Sequence, residues 1–354
     1  MNMTGSDMKL PNRDEKVEIR LPRRIEKVGI LLVPGYALMS YACAMEPLRA
    51  ANLISGQKLY EWRHFSPDGA PSSASNGVQI VADDGLVRAP DLDLLLVCAG
   101  GNPALFHDPR TFSWLRQLAH AGTVIGGVSG GPYILARAGI LEGRRCTIHW
   151  EHVPAFMEEF PGVHLTRNRY EIDGHRISCS GGIAGLDMMH QLIAADHGHV
   201  LASEVVEWFI HSDVRTGDMP QRMAIRERMA VRDPKLIKVL ETMETSLEDV
   251  RSREEMARLV SISVRQLERL FKLHLGRTIS DHYTEIRMRH ARTLLRQTSL
   301  SVLEVAIASG FSNASHFSRS YRKRFGHSPR QEVQRHQVRQ EAAMVLRTKT
   351  HQPS

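Results

Sequence analysis

The chain has 354 residues, more than the roughly 250–300 at which single hydrophobic cores stop growing, so we expect two domains. Hydrophobic residues make up 42% and charged residues 24%, and no apolar run approaches the ~18 residues of a membrane span. The four cysteines form no C-x-x-C pair, which disfavours disulfides and cysteine zinc sites and fits a cytoplasmic protein. Residues 1–24 are charged and lack the apolar segment of a signal peptide, so we expect a disordered tail there.

The positive charge is concentrated in one segment. Residues 251–330 hold 16 Lys and Arg against 6 Asp and Glu, an excess of ten, so the rest must be net −3 for the total to be +7. Such a segment favours a polyanionic partner, most simply a nucleic acid, although a solvated helical surface can also be basic.

Residues 25–211 alternate short apolar runs with helical patterns. "KVGILLV" and "DLDLLLVCAGG" are typical of strands buried on both faces, and Asp173-Gly174 is a good hairpin turn between two alternating runs. This order predicts an α/β sandwich of the flavodoxin type with a largely parallel sheet. The helices are expected at Tyr41–Ser55, Pro109–Ala121, Gly131–Gly139, Ala184–His197 and Val200–His211.

One turn in this half carries a chemical signal. Gly127-Val-Ser129-Gly-Gly131 has the G-x-S-x-G spacing on which α/β-hydrolases place a nucleophilic serine. The same turn can instead offer open peptide N–H groups at Gly130 and Gly131 to a ligand carboxylate at a helix start. A third interpretation is that the glycines only permit a tight strand-to-helix turn.

The pattern changes after residue 211. Residues 212–233 are polar and lack strand signals, so we interpret them as a mobile connection. Residues 234–332 are predicted to be helical, and residues 333–354 are predicted to form a tail. Within the helical part "MARLVSISVRQLERLFKLHLG" and "VAIASGFSNASHFSRSYRKRFG" superpose, with one extra residue in the second turn. Capping-box patterns mark the expected helix starts at Ser252-x-x-Glu255, Ser263-x-x-Gln266 and Ser301-x-x-Glu304. The repeat predicts two helix-turn-helix motifs joined by a helix over residues 279–297.

Each second helix has a predicted inner stripe, Leu267, Leu270 and Phe271 in the first and Phe317 and Tyr321 in the second. The opposite faces are basic and suited to base edges and phosphates. The alternative interpretation of these basic faces is a helical bundle whose basic surface is only solvated. The residues expected to contact DNA are Arg265, Gln266, Arg269, Lys272, Ser315, His316, Arg319, Arg322 and Lys323.

The stretch "SHFSRSYRKRFGHSPRQ", with "EVAIASGF" before it, closely resembles the second helix-turn-helix of AraC/XylS regulators. "ISVRQLERLFKLHLGRTISDHYTEIRMRHARTLL" is similar to the first motif and the linking helix. Over residues 236–330 the resemblance implies an all-α domain that places two helices in successive major grooves, usually in a transcription activator.

"EPLRAAN", "CAGGN", "GGVSGG", "CTIHW" and "NRYEIDGHRISCSGGIAGLDMM" together resemble the class I glutamine-amidotransferase-like superfamily, in its PfpI-type branch. Its enzymes carry a cysteine in the elbow, the turn that corresponds to residues 127–131 here. The resemblance puts Ser129 at the cysteine position, His149 at the histidine and Glu46 at the glutamate. A serine needs a firmly oriented base, and no acid is identifiable for His149. The combination with AraC-type motifs is that of GlxA-like regulators, which include activators of arginine, carnitine and glycine betaine catabolism.

The aromatic residues Tyr36, Tyr41, Tyr133 and Trp150 are expected at the level of Ser129, where they could enclose a cation that pairs with Glu46. His149-Trp-Glu-His152 lacks the spacing of H-E-x-x-H, so no metal is expected. The predicted ligand is a small zwitterion, an amino acid or a betaine-like metabolite. The predicted ligand-binding residues are Glu46, Gly100, Gly101, Ser129, Gly130, Gly131, His149 and Trp150.

The sequence thus predicts a cytoplasmic, ligand-responsive transcription activator without cofactor. Its expected partners are operator DNA, RNA polymerase, the metabolite and a second copy of the chain. Two alternatives stay open. One is an amidase- or protease-like hydrolase that uses Ser129, and the other is a dimeric DNA-binding protein that ignores metabolites.

Overall fold

The computed structural model of the protein describes residues 23–336. The predicted N-terminal tail therefore lies outside the described residues apart from Arg23 and Arg24, and the predicted C-terminal tail lies outside them beyond residue 336. Within this range no helix combines the length and the apolar character that crossing a membrane requires.

The first part of the chain forms a six-stranded sheet in the order β2-β1-β5-β6-β10-β9, parallel except for β9 at one edge. The two central strands, β5 and β6, are buried throughout, as continuous apolar runs require. Two short two-stranded sheets, β3-β4 and β7-β8, lie beside it. The strands are β1 Lys27–Leu32, β2 Glu61–Phe65, β3 Ser72–Ser73, β4 Gln79–Ile80, β5 Leu94–Ala99, β6 Val124–Ser129, β7 Arg145–Thr147, β8 His164–Thr166, β9 Tyr170–Asp173 and β10 Arg176–Cys179.

Helices cover both faces of this sheet. The core on one face includes residues of α1, α5 and α6, and the core on the other includes residues of α2, α3 and α4. The helices are α1 Leu38–Ser55, α2 Pro109–His120, α3 Gly131–Arg137, α4 Val153–Glu159, α5 Ala184–His197 and α6 His199–Trp208, with a 3-10 turn at Pro103–Leu105. The predicted α/β sandwich is confirmed, and so is the hairpin, because β9 and β10 pair across Asp173 and Arg176.

Residues 212–233, predicted to be a mobile connection, instead contact both domains: the first part bonds to the α/β domain, and Ile225 and Val231 are buried in the core of the helical part. The buried carboxylate of Asp187 on α5 accepts hydrogen bonds from Arg169, from His211 Nε2 at 2.9 Å and from the Arg215 amide at 3.2 Å. Further along, Gln221 Nε2 donates to Ile148 O and Asn168 O, both at 2.9 Å. A polar segment can be fixed in this way because the α/β domain satisfies its polar groups.

The described residues from 225 to 336 are mainly helical. Asp233 caps the first long helix and Pro234 occupies its first turn, a typical helix start. The helices are α7 Ile225–Arg228, α8 Pro234–Thr245, α9 Arg253–Leu259, α10 Val264–Leu275, α11 Ile279–Gln297, α12 Val302–Ala308 and α13 Ala314–Phe325, followed by helical backbone over residues 329–336.

Two small cores divide the helical part. One includes residues of α8, α9, α10 and the start of α11, and the other includes residues of the second half of α11, α12 and α13. Because α11 contributes to both cores, it joins the two repeats rigidly, as predicted for a helix over residues 279–297.

Candidate functional site

The first repeat, α9 and α10, is a helix-turn-helix whose helices both start at capping boxes. Ser252 and Ser263 each accept a backbone N–H bond from the residue three positions on, and Glu255 and Gln266 accept the serine N–H in return. These reciprocal bonds satisfy otherwise unpaired donors and fix where each helix begins. On α10 the predicted inner residues Leu267 and Phe271 are fully buried, and Leu270 is partly buried against the same core.

The second repeat, α12 and α13, has the same design. Ser301 and Glu304 form its capping box, and Asn313 caps α13 by accepting the His316 amide at 2.8 Å. Phe317 and Tyr321 are fully buried, as predicted. The second helix of each repeat, α10 or α13, is its recognition helix. Both end at a glycine in the left-handed conformation, Gly276 and Gly326.

All the residues predicted to contact DNA are exposed: Arg265, Gln266, Arg269, Lys272, Ser315, His316, Arg319, Arg322 and Lys323. The guanidinium groups of Arg269 and Arg319 make no hydrogen bond or ion pair with any other residue between 23 and 336. The side chain of Gln266 keeps only its Nε2 free, because its Oε1 accepts the Ser263 N–H in the capping box.

Other arginines of this domain have structural partners. Arg287 donates to Ser309 O at 2.7 Å and lies 4.1 Å above the Phe311 ring. Arg324 binds the buried carboxylate of Glu285 through Nη2 at 2.6 Å. Arg269 and Arg319 differ from these arginines because their guanidinium groups have no partner among residues 23–336, which leaves them available to phosphates or base edges.

In the α/β domain the elbow is built as the sequence motif requires. Ser129 ends β6 with φ of 60°, a left-handed conformation that strains a non-glycine residue. A Cβ atom on Gly131 would lie 2.0 Å from Val97 O, and one on Gly127 would lie 2.6 Å from Pro132 N. Both glycines therefore have a steric explanation that needs no ligand.

One of the two expected amide donors of the elbow, Gly130, is already engaged. The Gly130 N–H donates to Ala99 O at 3.0 Å, so it is not open to a carboxylate. Burial raises the pKa of the Cys179 thiol to about 11, although backbone N–H bonds from Gly181 and Ser129 favour its thiolate. The expectation of open N–H groups is thus wrong at Gly130, because the neighbouring strand accepts its hydrogen. Nearby, Gly100 packs closely on the backbone of Gly35 and Ala37, and Gly101 has φ of 61°.

Glu46 has a different environment from the expected one. It lies on α1 with Arg49 as its partner, at 2.7 Å, and its side chain is 38% exposed. The α1 residue beside Ser129 is Ser40, because a Cβ on Gly181 would lie 2.7 Å from Ser40 Oγ and 2.9 Å from Ser129 Oγ. Six residues along a helix rotate the side-chain direction by about 120°, so Ser40 and Glu46 occupy different faces. Ser40 was not among the predicted contacts, because the helix was predicted to start at Tyr41 and it starts at Leu38.

His149 follows β7 and contacts the elbow through its backbone. Its N–H donates to Ser129 O at 3.2 Å, and its Nδ1 accepts the Glu151 amide at 3.4 Å. Burial lowers the pKa of His149, against the opposing charge of Glu151. Ser129 Oγ makes no hydrogen bond in the described part of the chain, and no carboxylate there bonds to the His149 ring. The geometry of an activated serine is not formed by residues 23–336.

The predicted aromatic residues do not surround one point. Trp150 is 47% exposed and its ring is covered by Arg222, whose Cζ lies 4.9 Å from the ring centroid. Tyr133 donates to Glu159 at 2.5 Å. Only Tyr36 and Tyr41 contact each other, with centroids 5.8 Å apart, and Tyr41 OH bonds to a histidine. A four-residue aromatic cage is therefore not present in this arrangement.

A flavodoxin-like domain with an elbow serine, joined to paired helix-turn-helix motifs with free basic faces, defines a DNA-binding transcription regulator. The family model of the helix-turn-helix domain matches residues 256–335, and that of the DJ-1/PfpI family matches residues 26–195. Among groups of three or more His, Cys, Asp or Glu within residues 23–336, none is placed to hold a metal ion.

Full-length relatives share both domains. The chain is 43% identical to the HTH-type transcriptional regulator GlxA of Rhizobium meliloti, over 87% of this chain and 95% of GlxA. It is 44% identical to CdhR of Pseudomonas aeruginosa, over 85% of this chain and 90% of CdhR. The chain belongs to this family of HTH-type transcriptional regulators. A solved AraC family transcriptional regulator from Pseudomonas putida is 27% identical, with a TM-score of 0.47 over 52% of this chain and 99% of that one.

Proposed function

We propose that the protein is a metabolite-responsive transcription activator whose α/β domain is a sensor without enzyme activity. The observation that carries this proposal is the contrast between its two candidate sites. The recognition helices expose the guanidinium groups of Arg269 and Arg319, which have no partner among residues 23–336, whereas the elbow serine has no hydrogen-bonded base in that range. The domain limits proposed are 25–211 for the sensor, 212–233 for the connection and 234–332 for the DNA-binding domain.

The proposed ligand is a small zwitterion, an amino acid or a betaine-like metabolite, at the elbow loops. Gly100, Gly101, Ser129, Gly131, His149 and Trp150 remain candidate contacts. We add Ser40, whose hydroxyl lies beside Ser129 and is buried with it. With the Gly130 amide engaged, the two hydroxyls are the better donors for a carboxylate. Glu46 could pair with the ligand cation only by leaving Arg49.

A thermal-shift screen of the full chain against glycine betaine, carnitine, arginine and other amino acids tests the sensor. We expect one of these classes to raise the melting temperature, since a ligand that binds only the folded state stabilises it. We expect Ser129→Ala to weaken that shift and to leave ester or amide hydrolysis at zero. Hydrolysis that disappears with Ser129→Ala, or a phosphonate adduct on Ser129, would support the hydrolase instead.

The proposed assembly is a homodimer that contacts RNA polymerase in the cytoplasm. Apolar side chains on and just after α6 support a second copy as partner, because Val200, Trp208 and Ile210 are 76%, 55% and 95% exposed. Large exposed apolar groups of this kind are typical of protein interfaces. Analytical ultracentrifugation of the wild type and of Trp208→Glu tests the proposal, and an unchanged mass would place the interface elsewhere.

A further inference from the structure

One end of α11 is in contact with the loops that form the elbow site. Asn102 follows directly after Gly100 and Gly101, and its Nδ2 donates to Arg296 O at 2.8 Å. Its Oδ1 accepts the Ala104 amide at 3.3 Å, so the same side chain caps the 3-10 turn of its own domain. The last carbonyl groups of a helix have no partner within the helix, and here one of them is satisfied by the other domain.

A second contact reaches the next residue of α11. His152 Nδ1 donates to Gln297 Oε1 at 3.2 Å, and both side chains are over nine-tenths buried. The path back to the elbow is short. The His152 N–H donates to His149 O at 2.9 Å, and the His149 N–H donates to Ser129 O at 3.2 Å. Movement at Ser129 therefore has a continuous hydrogen-bonded route to Gln297.

The same end of α11 is also tied to the second helix-turn-helix unit. The Arg296 guanidinium binds the buried carboxylate of Glu332 at 2.6 Å. Glu332 in turn accepts the hydroxyl hydrogen of Tyr321 on recognition helix α13 at 2.8 Å. Arg296 is thus bonded to the sensor through its carbonyl group and to the α13 core through its side chain.

We propose that the Arg296–Gln297 end of α11 couples the state of the elbow site to the position of the second helix-turn-helix unit. The proposal rests on the proposed function, since it needs a ligand that moves the loops at Gly100–Asn102 or His149–His152. A ligand shifts a conformational equilibrium only if it interacts differently with the two states. Here the difference lies in whether Asn102 and His152 keep their bonds to α11, which sets where α13 lies relative to the sensor.

Hydrogen exchange of the full chain, without DNA or ligand, tests this coupling. Ser129→Asn serves as the perturbation because Asn tolerates positive φ, and its larger side chain presses on Gly181 and Ser40. It is placed in the wild type and in an Asn102→Ala/Gln297→Leu background. We expect it to speed exchange in peptides covering residues 294–300 roughly fivefold in the wild type, as the loss of one net hydrogen bond would. In the uncoupled background exchange should already be fast and change no further.

Asn76→Ala is the matched control, because Asn76 caps a turn of the same domain through Val78 without any contact to α11. It should leave residues 294–300 unchanged. If Ser129→Asn fails to fold, Ser129→Gly releases the strained turn and provides the same comparison. Equal acceleration in both backgrounds, or none in the wild type, would overturn the coupling. These results do not depend on operator recognition, so a failed DNA-binding or ligand screen would contradict the proposed function separately.

Discussion

The two helix-turn-helix units place different groups at one equivalent position. Phe271 and Tyr321 are fifty residues apart in the recognition helices, and His282 and Glu332 are fifty apart in the helices that follow. Glu332 accepts hydrogen bonds from Tyr321 and His327 and pairs with two arginines of α11. His282 packs edge-on against Phe271, with ring centroids 5.7 Å apart, and neither of its nitrogens has a partner among residues 23–336.

This difference shows that the repeat preserves packing more strictly than polar bonding. Both units bury an aromatic residue on the recognition helix, and the second adds a carboxylate that fixes it to α11. An unpaired buried imidazole costs stability, whereas a satisfied carboxylate contributes specificity of position. The second unit is also the one whose buried carboxylate, Glu332, binds Arg296, the residue that contacts the α/β domain.

The turns differ as well. Ser261 and Gly310 occupy the same place after the first helix of each unit, with φ of 54° and 72°. A Cβ on Gly310 would lie 2.3 Å from Val250 Cγ2 and 2.6 Å from Leu247 O, so the second turn is packed against the loop before the first unit. The second turn is therefore fixed by a packing contact at Gly310, the position that Ser261 occupies in the first turn.

We expect the largest effect from Glu332→Gln. Burial alone would raise the pKa of Glu332, but bonds from His327, Tyr321 and Arg296 outweigh it and lower the pKa to about 2. The stabilisation by the ionised Glu332 carboxylate is present at pH values above its ordinary pKa near 4.5 and is lost as pH falls toward 2. Removing the charge should cost about 3 kcal/mol at pH 7, with the gap to the wild type closing in acid.

Hydrogen exchange of α12 and α13 as a function of pH measures this effect. Glu304→Gln is the matched control, because Glu304 is an exposed capping carboxylate of the same unit and its loss should destabilise the unit much less. Equal losses from the two variants would show that Glu332 does not organise the second unit.

The next effect compares the turns. Gly310→Ala should destabilise the helical domain by about 2–3 kcal/mol, because its methyl group meets Val250 and a backbone carbonyl while φ is positive. Ser261→Gly removes a strained side chain and should change stability by under about 1 kcal/mol. Thermal unfolding followed by circular dichroism gives both values. If Gly310→Ala left stability unchanged, the second turn would not be packed against the loop before the first unit.

The third effect concerns DNA. Arg269→Ala and Arg319→Ala should each weaken binding to an operator selected from random duplexes by about 1–3 kcal/mol, without lowering the melting temperature. Both guanidinium groups are exposed and unpaired among the described residues. Arg324→Ala is the control, because Arg324 pairs with buried Glu285 and should lower stability instead. A loss confined to one of the first two variants would show that only that unit reads bases.

The sequence predicted what depends on local pattern. The helices Ala184–His197 and Ile279–Gln297 and the capping boxes are observed at the predicted residues, because periodicity and caps are local signals. The exposed recognition faces follow from the same periodicity.

Long-range contacts could not be predicted. Nothing local showed that Ser40 instead of Glu46 lies beside Ser129, since this depends on where α1 begins and how it meets Gly181. The fixed connection likewise depends on the buried carboxylate of Asp187, which lies at least 24 residues before the segment in sequence. The Gly130 amide donates to Ala99 at the end of strand β5, a contact that the motif alone could not show. The motif therefore predicted one open donor too many.

The smallest effect at neutral pH is expected from His282→Phe. Burial, helped by Arg277 and Arg289 and opposed by Glu244 and Glu285, lowers the pKa of His282 to about 4. The imidazole is therefore neutral at pH 7.5, where a phenyl ring beside Phe271 should change stability by less than about 1 kcal/mol. Between pH 6.5 and 4 the unfolded chain binds a proton that the folded one excludes, so the wild type loses stability as pH falls through this window.

The variant should escape that loss and exceed the wild type by about 2 kcal/mol near pH 4.5, measured by hydrogen exchange of α10 and the start of α11. His290, whose pKa is also lowered to about 4 by burial, is present in both chains and cancels in the difference. His274→Phe, which removes an exposed imidazole of α10, is the control and should keep the acid loss. A wild type and a His282→Phe variant with parallel pH profiles would mean that a partner satisfies His282 in solution. The two units would then differ in the identity of that partner, and the first would no longer be the one that lacks a polar anchor.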